Sequence, residues 1–132
     1  MAELPHDVTD AELSILQVLW EQPTATVRGL VTRLYPKTTL SLIATVQKLL
    51  ERLEAKHCVN RNREAWPHQF SAAIRREELI LKRLQTTADK LCQGEFHPLL
   101  TSLVKARGLT AEDRQSLRGL LDDLDGTKQK KK

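Results

Sequence analysis

The stretch TLSLIATVQKLLERLEAKHCV, Thr39 to Val59, decides how this chain is read. Ile43, Val46, Leu49, Leu50 and Leu53 recur at the helical period and mark one apolar side. The opposite side is unusual for a surface that meets water. It carries Ser41, Ala44, Thr45 and Lys48, and one turn later Arg52. Thr45, Lys48 and Arg52 follow one another at helical spacing, so they share a face. A helix can lie deep in a DNA groove only when its leading side chains are short. Hydroxyls can then bond phosphates or base edges, a methyl can meet the thymine methyl, and lysine can reach guanine. The plain alternative is a solvated face, with Lys48 and Arg52 pairing with the nearby Glu51 and Glu54 on less than ideal spacing.

The flanking sequence supplies the context. Thr9-Asp10-Ala11-Glu12 fits a capping box and opens a helix with Leu13, Ile15, Leu16, Leu19 and Trp20 on its apolar side. Pro23 follows its end. A short second helix starts near Thr26, turns Val27, Leu30, Val31 and Leu34 inward, and stops at Pro36. After the third helix, roughly Thr39 to Lys56, the period changes. Val59, Arg61 and Arg63 alternate, Asn62 to Ala65 can turn, and Trp66 to Ser71 can return as a second strand. Pro67 lacks an N–H, so that strand is expected at an edge or bulged. Three helices and a hairpin form a winged helix-turn-helix, in which the third helix enters the major groove and the wing lies along the backbone. Arg61 and Arg63 thereby join Ser41, Ala44, Thr45, Lys48 and Arg52 as candidate DNA contacts.

From Ile74 onward the pattern is helical again. Segments of about 74–93, 96–107 and 110–124 are separated by Gly94 and Gly108. They are thin amphipaths with little core of their own. The fold class is mainly α, with a small β-hairpin wing. Residues 1–73 form the winged-helix domain, 74–126 a helical region, and 127–132 a basic tail expected to be disordered.

Charge bounds the partners. The 132 residues carry a net charge of +4, but the last six, TKQKKK, hold four lysines; without them 17 cations face 17 acids. The body is neutral, so any basic patch is local. No apolar run approaches the roughly 18–20 residues of a membrane span. MAELPHDVTD has no basic region followed by an apolar stretch, so it does not read as a secretory signal, and the cytoplasm is the default location. Cys58 and Cys92 form no CxxC and are expected as small buried hydrophobes.

These segments resemble the penicillinase-repressor family of bacterial transcription regulators (BlaI/MecI type). The resemblance covers about Val8 to Asp123. It lies in TDAELSILQVLW, ATVRGLVTRL, TVQKLLERLEAK, the IRREEL junction, the Gly94 turn and LTAEDRQSLRGLL. It implies an N-terminal winged helix, a C-terminal helical dimerisation region, and a homodimer that binds a dyad operator in double-stranded DNA and represses transcription. Departures stand out. Lys56-His57 replaces the usual Lys-Gly after the third helix, Ala65-Trp66 replaces Gly-Arg at the wing tip, and Lys48 replaces a common Thr. Some members are inactivated through a sensor-linked protease that triggers cleavage between Asn and Phe; the matching pair here is Ser102-Leu103, which leaves that partner open. Copper-responsive relatives carry paired CxC motifs near the C-terminus, and this chain has no cysteine after Cys92.

Other chemistries find little footing. His57, Cys58 and His68 could converge across the hairpin, but no fourth ligand is evident and the spacing matches no structural zinc pattern, so no metal or other cofactor is expected. His6 and His97 look incidental. Asp122, Asp123 and Asp125 read as a solvated acidic helix end. No GxGxxG, Walker loop, GxSxG or HExxH occurs, and no enzyme is read here. The altered wing and neutral body keep one alternative open, a winged-helix protein-interaction adaptor without specific DNA reading.

Overall fold

Three threonines start the first three helices. Thr9, Thr26 and Thr39 each accept a hydrogen bond from the backbone N–H three residues on, at 3.2, 3.1 and 3.1 Å. They open α1 (Asp10–Glu21), α2 (Val27–Leu34) and α3 (Leu40–Ala55). Each cap is worth about 1 kcal/mol relative to alanine. The computed structural model describes residues 8–130, which divide into two compact units between Thr87 and Ala88. The N-terminal decapeptide read for a secretory signal lies largely outside the described residues, as do His6 and the last two lysines of the tail.

The apolar stripes expected from the period form the first unit's core. Ile15, Leu16, Leu30, Val31, Val46, Leu50 and Leu53 are fully buried, with Leu19 and Leu49 nearly so. Leu13, Trp20, Val27, Leu34 and Ile43 pack against it half-covered. Phe70 from the wing and Ile74 and Leu79 beyond it complete the core. The Trp20 Nε1–H donates to the Ile74 carbonyl at 2.8 Å, and the Arg76 guanidinium lies over the indole at 5.1 Å.

One charged side chain is fully buried in this core. Glu12 accepts from the Thr9 N–H at 2.9 Å, completing the capping box, and its Oε1 also receives the Lys56 ammonium at 2.7 Å. Glu12 thus ties the start of α1 to the end of α3. That end is a Schellman motif: Cys58 N–H reaches the Leu53 carbonyl at 2.8 Å and His57 N–H the Glu54 carbonyl at 3.0 Å. His57 takes the left-handed conformation that glycine usually supplies, φ 64°. Cys58 is buried, whereas Cys92 is only half-covered.

The wing is β1 (Val59–Asn62) paired antiparallel with β2 (Gln69–Ala72), with Arg61 opposite Phe70. The connection, 63–68, is longer than the sequence suggested. Arg63 and Trp66-Pro67 lie in it rather than on strands. The sequence places Pro67 within an edge or bulged strand; β2 is an outer strand of a two-stranded sheet, but Pro67 lies before it rather than in it. At Phe70, β2 is paired on both sides, because Ala25, just before α2, exchanges hydrogen bonds of 2.8 and 2.9 Å with it. Proline is accommodated by leaving the strand.

The chain continues as α4 (Arg76–Leu91), α5 (His97–Arg107) and α6 (Ala111–Lys130), and the boundary between the units falls within α4. Gln93 and Gly94 both take positive φ after α4, and Gly108 does so after α5. Thr110 and Asp113 cap α6 reciprocally, at 3.0 and 3.3 Å. Because α6 continues to Lys130, Asp122, Asp123 and Asp125 lie along the helix rather than at its end, a correction to the sequence reading. No helix among the described residues is long and apolar enough to cross a membrane.

Candidate nucleic-acid interface

The α3 face singled out in the sequence is open. Ser41, Ala44, Thr45, Lys48 and Arg52 are all exposed, while Val46, Leu49, Leu50 and Leu53 fix the opposite side in the core. The Thr45 hydroxyl donates to the Ser41 carbonyl at 3.0 Å. In that state it offers a ligand its acceptor lone pairs and its methyl. The plain alternative, Lys48 and Arg52 paired with Glu51 and Glu54, is not what forms. Among the described residues neither cation has an ion-pair partner, and Glu54 is engaged with the wing instead. Two unpaired cations therefore sit on a face of short side chains.

Glu54 holds the wing. Its Oε1 meets Arg61 Nη2 at 3.0 Å, and its Oε2 meets Arg63 Nη2 at 3.2 Å. Arg61 is turned inward on the same face as Val59; its guanidinium lies over Phe70 at 4.9 Å and its side chain is 19% exposed. Arg63 remains open to solvent. One carboxylate shared by two guanidinium groups leaves a net single positive charge at the wing's root. The two wing arginines thus do not stand free as the α3 cations do.

The wing tip carries a different chemistry. Trp66 is 87% exposed and lies outside the core, and its ring meets His68 edge-on at 5.2 Å. Both help to line a cleft of about 290 Å³ against Gln47 and Glu51 of α3, floored by Val27 and Phe70. The His57, Cys58 and His68 trio does not gather: His57 is exposed, Cys58 is buried with its thiol 3.8 Å from the Lys56 carbonyl, and His68 faces Trp66.

A family model for the penicillinase repressor matches residues 8–123, most of the chain. The chain belongs to the penicillinase repressor family. It is similar to the penicillinase repressor of Staphylococcus aureus, 22% identical over 124 residues that cover 94% of this chain and 98% of that protein. It is also similar to the methicillin resistance regulatory protein MecI of Staphylococcus aureus (strain Mu50 / ATCC 700699), 19% identical over 117 residues, 89% of this chain and 94% of that one. The penicillinase repressor of Bacillus licheniformis is 21% identical over 123 residues, 93% and 94%. The family consists of regulators of transcription rather than enzymes, as the resemblance implied.

Within this repressor fold the sequence reading missed three features. Leu40, the first residue of α3, is 82% exposed beside the small polar face. Glu54 was weighed only as a partner for its own helix, and its bridge to the wing spans a change of element. Arg61's inward turn was legible: the two-residue period of a strand puts it on Val59's face. Ser102 and Leu103, the pair matching the family's cleavage position, are exposed within α5.

Proposed function

We propose that this chain is a sequence-specific DNA-binding repressor that acts in the cytoplasm as a homodimer on a dyad operator. The observation that carries the reading is the α3 face, where Lys48 and Arg52 stand exposed and unpaired among Ser41, Ala44 and Thr45. Ser41, Thr45 and Lys48 read base edges, Ala44 permits close approach, and Arg52 grips phosphate at the far end of the helix. Arg63 adds to the backbone grip from the wing, and Arg61 contributes charge while fixing the wing to α3 through Glu54. The sibling assignments on the relatives, a penicillinase repressor and a methicillin resistance regulator, point the same way.

The C-terminal unit supports the dimer. No described residue from Asp89 to Gly126 is buried, and Leu100, Leu103, Val104, Leu120, Leu121 and Leu124 are about half exposed or more. Apolar faces of that extent need a cover. A second copy supplies it and sets two α3 helices on half-sites roughly 34 Å apart, one turn of DNA.

The test is a pair of substitutions titrated on duplexes selected from a random library. Lys48→Ala changes which half-site is preferred. Arg52→Ala weakens every site and lowers the salt slope by about one. A flat response to both removes this face from the interface. Glu54, which reduces the two wing arginines to a single net positive charge, favours the second reading, the protein-interaction adaptor. That reading requires DNA binding to disappear when Lys128, Lys130, Lys131 and Lys132 are replaced by glutamine, whereas specific reading survives the change.

A further inference from the structure

Tryptophan is a costly residue to leave in water, and Trp66 is the most exposed large apolar side chain of the described residues. Three observations define what it can meet. Its indole N–H has no hydrogen-bond partner among the described residues, so a donor is available at the ring's edge. Its ring is steadied edge-on by His68 at 5.2 Å and walls the cleft that opens beside Gln47 and Glu51 of α3. The wing's arginines stand at its root, where both pair with Glu54: Arg61 is turned inward and only Arg63 stays open to solvent, so the tip itself has no free cation among the described residues. The wing therefore presents a flat apolar ring with one free donor, next to the open cationic face of α3.

We propose that Trp66 is a DNA-contacting and specificity-determining residue. Its ring face packs on deoxyribose along the minor groove flanking the α3 half-site, and its N–H donates to a groove-floor acceptor, adenine N3 or thymine O2. This rests on the DNA-binding reading above and goes beyond it by giving the wing an apolar, charge-independent contact. An N–H donor meets repulsion from the guanine N2 amino group, which also donates, so the contact favours A·T pairs at the flank. Because no counterion is released when a ring packs on sugar, the contribution is insensitive to salt.

The experiment starts with a duplex enriched from a random library by the full-length chain. Failure to enrich any duplex overturns the DNA-binding reading itself. Given such a duplex, Trp66→Ala is expected to weaken binding about tenfold, the order seen when a packed interface aromatic is truncated, with the salt slope unchanged. Trp66→Phe, which keeps a ring, stays within about threefold of the parent at the selected flank but loses its A·T preference. The duplex quenches the part of the tryptophan emission that differs between the parent and Trp66→Phe. Both variants melt as the parent does, since the ring is exposed. Parent-like affinity of Trp66→Ala with unquenched Trp66 emission, or a salt slope reduced by about one, overturns the inference and leaves α3 reading intact.

Discussion

Replacing Lys56 by methionine tests how α3 is held in place. Glu12 is fully buried, and its Oε1 takes hydrogen bonds from the Thr9 N–H at 2.9 Å and from Lys56 Nζ at 2.7 Å. Its Oε2 is buried without a hydrogen-bond partner. Methionine keeps the length and the apolar stem but removes the charge. Breaking a buried ion pair from one side costs about 3–5 kcal/mol, because the remaining charge is left without compensation. The Lys56 side chain is 22% exposed, so water replaces part of the loss. A cost of about 2–3 kcal/mol is expected. Glu12→Gln removes the opposite charge and keeps an acceptor for the Thr9 N–H. The double variant Glu12→Gln with Lys56→Met is therefore expected to recover about 1–2 kcal/mol relative to the sum of the single changes. Urea denaturation followed by circular dichroism, at one fixed protein concentration, measures all four corners of the cycle. A loss below about 0.5 kcal/mol for Lys56→Met, or strict additivity, would refute the claim that this pair pins the end of α3 to the start of α1.

Other changes probe neighbouring features. His57→Gly relieves the left-handed position in the Schellman motif, φ 64°, and is expected to stabilise the chain by about 0.5–1 kcal/mol in the same urea assay. Glu54→Gln frees Arg61 and Arg63; it should steepen the salt dependence of nonspecific DNA binding by about one and cost about 1 kcal/mol of stability, read by a salt-series titration and a melt. Leu121→Asp with Leu124→Asp puts charge on the exposed face of α6 and should shift sedimentation from dimer toward monomer without changing helix content by circular dichroism.

The parts of the fold that are local were legible in the sequence. The threonine caps act over three residues, and the stripes Leu13 to Trp20 and Ile43 to Leu53 repeat within one helix, so both can be read from spacing alone. The parts that join distant segments were not. Ala25 pairs with Phe70, Glu12 with Lys56 and Glu54 with two wing arginines, and no period links those positions. The capping box showed that Glu12 reaches back to Thr9, but not that the same carboxylate is sealed beneath the end of α3. His57's strain was readable because a family glycine is replaced there, and the structure puts that residue in the left-handed region. In the candidate interface, the exposed α3 face follows from the stripe opposite it. The exposure of Trp66 depends on where the six-residue wing connection leaves the strands, which strand alternation alone misplaces.

The most direct test of a two-fold symmetric, sequence-reading dimer is selection of bound duplexes from a random DNA library with the full-length chain. An enriched site with two inverted half-sites about one DNA turn apart is the expected result, and it should persist when the four tail lysines are replaced by glutamine. Absence of enrichment, with binding that vanishes in the glutamine-tailed chain, would contradict it and leave a protein-interaction adaptor as the better reading.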